Sequence, residues 1–74
     1  MYYGTTLKTY MMNSEECYFK FIKKFDSLVK KGYDTKYCAD VALEDLGLSK
    51  SDFTNADWDR AERHVQKVYD KRGR

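Results

Sequence analysis

One histidine, two cysteines and an adjacent pair of carboxylates are the side chains of this sequence best suited to covalent or acid–base chemistry. His64 stands alone, so a zinc site would have to gather Cys17, Cys38, His64 and a carboxylate without the close ligand pairs that structural zinc sites use. No metal is expected. Nucleophilic catalysis requires a nucleophile, a base and a group that orients the base. A single histidine among scattered carboxylates does not supply that set. Glu44 and Asp45 are neighbours, but adjacent helical residues point about 100° apart and share no acid–base site. Neither a glycine-rich phosphate loop nor a nucleophile elbow occurs. The expectation is a protein with no catalytic residues, no cofactor and no small-molecule substrate. Both cysteines are expected to be reduced, with Cys38 in the core and His64 at the surface or boundary of the last helix.

The elements that would position any functional group are helices. Proline is absent and only four glycines occur in 74 residues, which suits helices joined by short turns. Asn13-Ser14-Glu15-Glu16 supplies cap candidates and acids for the positive end of a helix dipole. Tyr18, Phe21, Ile22, Phe25, Leu28 and Val29 then recur on one face of a 3.6-residue period, so a helix is expected over roughly 14–31, closed by Gly32. Asp34-Thr35 opens a second, short and broadly apolar helix carrying Cys38, Ala39, Val41, Ala42, Leu43 and Leu46, which Gly47 ends. Ser49-Lys50-Ser51-Asp52 has capping-box spacing for a single turn anchored by Phe53. Trp58, Ala61, Val65, Val68 and Tyr69 mark a third amphipathic helix over about 55–72, stopping at Gly73.

These signals predict one all-α domain over residues 13–74, a compact bundle of three to four helices. Its expected core is Phe21, Phe25, Leu28, Val41, Ala42, Leu46, Trp58, Ala61, Val65 and Val68. Residues 1–12, with Tyr2, Tyr3, Thr5, Thr6, Thr9 and Tyr10, favour an extended N-terminal arm. Aromatic residues make up 16% and charged residues 35% of the chain, too apolar for a disordered tail and too polar for a membrane protein. No apolar run approaches the about 18 residues of a membrane span, and the polar stretch from Met1 to Met12 argues against a secretory leader. A cytoplasmic, soluble protein is the expectation.

The net charge of +2 is small, but it is unevenly distributed. Residues 1–31 hold six lysines against three acids, residues 32–55 two lysines against five acids, and residues 56–74 six bases against four acids. An acidic middle that includes Asp40, Glu44 and Asp45 is thus flanked by basic segments. Such a pattern can pair with a second copy of the chain or with an oppositely charged protein. Tyrosine supplies large contact area at low entropic cost. The candidate partner-binding residues are therefore Tyr2, Tyr3, Tyr10, Asp40, Glu44, Asp45, Lys67, Lys71 and Arg72.

Nucleic acid is the alternative partner. Val41 to Ser49 has the look of the first helix and turn of a helix-turn-helix unit, with one residue too many between Ala42 and Gly47. The following helix would then be the groove reader. Asp52, Asp57 and Asp59 stand at its start, where like charge meets a polyanion, so it is a poor reader. The better nucleic-acid footprint is sequence-independent, formed by Lys20, Lys23, Lys24, Lys67, Lys71, Arg72 and Arg74.

From Tyr18 to about residue 68 the chain resembles the YozE-like family of short bacterial and phage-associated proteins. The resemblance rests on Tyr18-Phe19-Lys20-Phe21-Ile22-Lys23-Lys24-Phe25, on Ala39 followed by Glu44-Asp45, on Leu48 with Lys50, and on the aromatic-led helix at Asp57-Trp58. It implies a helical fold similar to sterile alpha motif domains, a tendency toward protein–protein contact, and no catalytic residues. The functional expectation is a non-catalytic protein that binds another protein stoichiometrically. A phage or mobile-element inhibitor of a host system is one concrete form. A small nucleic-acid-binding accessory protein is the alternative.

Overall fold

Asn13 caps the first described helix: its side-chain oxygen accepts the Glu16 N–H at 2.9 Å, satisfying a donor that the first helical turn leaves free. The computed structural model describes residues 13–73. Helix α1 spans Ser14–Lys30, with Glu15 and Glu16 in its first turn and Lys30 in its last, as the helix dipole favours. It buries Cys17, Phe21, Phe25 and Leu28, and the Phe21 and Phe25 rings stack with centroids 5.9 Å apart. Lys31 closes the helix, and Gly32 follows at a φ of +94°, the left-handed region that turns the chain back.

Helix α2 spans Thr35–Leu46. Asp34 occupies its N-cap position, but the Asp34 side chain makes no capping bond. Arg72 ties down this end instead, donating to the Tyr33 carbonyl at 2.8 Å and to Thr35 Oγ1 at 3.2 Å. Gly47, at a φ of +68°, ends the helix, and the Leu48 N–H reaches back to the Leu43 carbonyl at 2.9 Å. That bond satisfies a free carbonyl and turns the Leu48 side chain into the core. A single 3-10 turn, Lys50–Asp52, follows, with the Ser49 N–H donating to the Asp52 carboxylate at 2.8 Å. Helix α3 spans Asn55–Arg72, capped by Thr54, whose hydroxyl accepts the Asp57 N–H at 3.1 Å.

The described residues are thus all-helical, with three α-helices and one 3-10 turn and no strand. Each helix packs on the other two. Ser14 at the start of α1 bonds to Thr54 and Asp57 at the start of α3, and Asp26 further along α1 meets His64 further along α3, so these two helices run in the same direction. Phe21, Phe25, Leu28, Ala42 and Ala61 are buried as their periodicity predicts. Val41, Leu46, Trp58, Val65 and Val68, also expected in the core, are only half-buried against it. Three helices cannot enclose every apolar stripe: Trp58 and Val65 line an open side between α2 and α3, and Leu46 lines a hollow beside α1. Cys38 is buried as expected, and Cys17, Thr35, Leu48 and Phe53 complete the centre. No helix among the described residues is long and apolar enough to cross a membrane. The N-terminal arm and Arg74 lie outside the described residues.

Candidate functional site

Where α2 and α3 diverge, Ala39 and Leu43 on one helix face Trp58, Ala61 and Val65 on the other across a groove of about 490 Å³, floored by Phe21. Ala39 and Ala61 make this hollow possible, since a larger side chain at either position would fill it. Trp58 is held by an edge contact to Phe53, centroids 5.2 Å apart, and Phe53 in turn meets Phe21 edge-on at 6.4 Å. The half-exposed indole is therefore a fixed wall, anchored through two rings to the core.

Asp40, Glu62, Arg63 and Gln66 form the polar rim. Arg63 is neutralised by Asp59 at 3.0 Å, whereas Asp40 and Glu62 are exposed and have no ion-pair partner among the described residues. The rim is consequently acidic. His64 does not line the groove; its Nε2 lies 2.9 Å from Asp26 Oδ1, and its ring packs edge-on against Phe25 at 5.6 Å.

Of the acidic residues expected at a partner surface, only Asp40 borders this groove. Glu44 is exposed elsewhere on α2, and Asp45 pairs with Lys24 of α1 at 3.2 Å across the opposite seam. Lys67 and Lys71 are exposed on α3, but Arg72 is spent on the turn before α2 and is a structural clasp. Lys20 and Lys23 are exposed on α1, beside Lys24. Tyr2, Tyr3, Tyr10 and Arg74 lie outside the described residues. Leu43 and Glu62 were not singled out as site residues by sequence reasoning. Their signal was available only as a pair: an apolar position and an acid on helices whose mutual facing the sequence does not reveal.

Among the described residues, three groups carry displaced pKa values. Asp57 is held below the usual carboxylate range, first by the Ser14 hydroxyl that donates to it at 2.6 Å and further by the Arg60 guanidinium at 3.1 Å. Burial pushes both thiols up, with Asp52 and Glu16 adding to the effect at Cys17. At Cys38 the nearby Arg72 charge opposes it in part. Both cysteines are free, and the Cys38 thiol points at the Tyr33 carbonyl at 3.6 Å. Such thiols are protonated core side chains with little nucleophilic character. Among the described residues no group of three or more potential metal ligands is placed to hold an ion.

No family model matches the chain, and comparison with curated proteins and with solved structures finds no match.

Proposed function

We propose that the protein works without catalysis, by stoichiometric binding of another protein in the groove between α2 and α3. The observation that carries this reading is the pairing of a rigid apolar trough, walled by Trp58 and Leu43, with two carboxylates on its rim, Asp40 and Glu62, that have no ion-pair partner among the described residues. A fixed aromatic in a concave setting is the usual form of a binding hot spot. The complementary partner is a helix or extended segment that presents apolar side chains beside lysine or arginine. The YozE-like relationship and a sterile-alpha-motif-like arrangement belong to the same proposal, as does a contribution from Tyr2, Tyr3 and Tyr10 to the contact.

The test is a photo-crosslinker, p-benzoylphenylalanine, placed at Gln66 on the groove rim and irradiated in nuclease-treated extract of the native host. A protein adduct is expected that disappears in Asp40→Lys/Glu62→Lys and weakens when residues 2–10 are deleted. Both substituted positions are exposed, so the helical fold is retained. An adduct indifferent to the charge reversal, or no protein adduct at all, overturns the reading.

A further inference from the structure

The outer face of α1 carries a second surface that the groove does not use. At about 100° per residue, Lys20, Lys23, Lys24, Lys30 and Lys31 fall within about 120° of arc, a strip roughly 16 Å long. The core face of Phe21, Phe25 and Leu28 is centred roughly 125° around the helix from the strip, and Lys20, Lys23, Lys30 and Lys31 are all exposed. Lys24 has a carboxylate within ion-pair distance, Asp45, and both side chains of that pair are about half exposed. The other four lysines have none among the described residues. Two shallow hollows run along the strip, one lined by Lys20, Lys23, Lys24, Ser27 and Leu46, the other by Phe19, Lys20 and Lys23 with Glu16 closing its N-terminal end.

Phe19 gives the strip its character. Its ring is 55% exposed beside two lysines, braced edge-on by Tyr18 at 5.6 Å. Past Lys31 the chain presents another exposed ring, Tyr33, packed against Tyr37 with centroids 5.6 Å apart. Lysines bracketed along the chain by exposed rings combine the two ingredients of single-strand recognition: cations that follow phosphates and flat apolar surfaces on which bases stack.

We infer that the outer face of α1 binds single-stranded nucleic acid, with Lys20, Lys23, Lys30 and Lys31 on the backbone and a base stacked on Phe19. A duplex fits less well. The basic strip is one helix wide, bordered by Asp45 toward α2 and by Asp26 toward α3, so the second strand of a duplex would lie over carboxylates. A duplex also offers no unstacked base to Phe19. Affinity should be modest and sequence-tolerant, since lysine is a point charge and every base has a stacking face.

The experiment is fluorescence anisotropy with a labelled twelve-nucleotide oligothymidylate and its duplex with oligoadenylate, titrated with the full chain at several salt concentrations. The single strand is expected to bind with Kd of about 1–100 μM at low salt, and log affinity to fall with log salt with a slope of about 2 to 3.5, at roughly 0.7 per contacted phosphate. Lys20→Glu/Lys23→Glu should abolish binding. Phe19→Ala should weaken it at least fivefold, the lower end for loss of one stacked base. Lys67→Glu/Lys71→Glu on α3, and Glu62→Lys on the groove rim, should leave it within about twofold. Equal or tighter binding of the duplex, indifference to Phe19→Ala, or an equal loss with the α3 pair overturns the assignment. So does binding to phosphatidylserine vesicles with none to the oligonucleotide. None of these outcomes bears on the groove, which is read by the crosslink at Gln66.

Discussion

The Ser14 hydroxyl donates to the Asp57 carboxylate at 2.6 Å and accepts the Thr54 N–H at 2.7 Å, so one side chain at the first residue of α1 joins the cap and the first turn of α3. Because the bond to Asp57 favours the ionised carboxylate, it lowers that group's pKa in the folded state. The associated stability is present above the unfolded carboxyl's pKa, about 3.9, and is lost as pH falls through the lower folded value. Ser14→Ala is therefore expected to lower the urea midpoint at pH 7 and to narrow its distance from the unsubstituted chain at pH 2 to 3. Urea titrations of both chains at the two pH values check this. A gap of equal size at both would show that the hydroxyl does not act through the carboxylate.

Phe25 and Trp58 should separate stability from recognition. Phe25 is fully buried, and Phe25→Ala is expected to cost about 3–5 kcal/mol. That is a large part of the about 4–11 kcal/mol available to 74 residues. Trp58 is half-buried on the groove wall, so Trp58→Ala should cost less, about 1–2 kcal/mol, while removing the wall that a partner would contact. Far-UV circular dichroism during urea unfolding reads the first effect, and the crosslink from Gln66 reads the second. Loss of helical signal in Trp58→Ala without denaturant would mark the indole as core.

The two thiols should behave as reporters of unfolding. Burial raises both pKa values, so at pH 8 each is expected to resist Ellman's reagent in the native chain and to react as urea exposes it. The labelled fraction should follow the loss of helical signal. Stoichiometric labelling of either cysteine within seconds, without denaturant, would show an opening that the packing of α1 and α2 does not suggest.

The helices were legible because their punctuation is local. Asn13 and Thr54 cap the helices that their neighbours predict, Gly47 and Gly73 sit at the predicted stops with positive φ, and Ser49 with Asp52 closes the predicted turn. Phe53 was readable as the anchor of that turn and is buried, as is Leu48 on its other side. Periodicity identifies a helix's apolar stripe but not how much of it neighbours will cover. Val65 and Val68 therefore read as core and are half-buried, while Cys17 and Thr35, near helix starts, are buried. Arg72 shows the same limit in charge. In sequence it is one of a basic cluster, yet its partners are a carbonyl and a hydroxyl nearly forty residues away. The groove was the least legible feature, because it exists only where two helices diverge.

Those distant partners share a regularity with kinetic meaning. Ser14 to Thr54, Ser14 to Asp57, Asp26 to His64, Tyr33 to Arg72 and Thr35 to Arg72 span separations of 40, 43, 38, 39 and 37 residues. Closing any one of them brings together ends about forty residues apart, and the entropy of loop closure depends only weakly on the few residues by which they differ. The first contact therefore meets nearly the whole closure cost, and each later one forms between groups already held near each other. The docking of α3 behaves as a zipper in which every tooth closes a loop of similar length. It can nucleate at either end, and a cooperative transition is the expected result in a molecule otherwise built from local helical contacts.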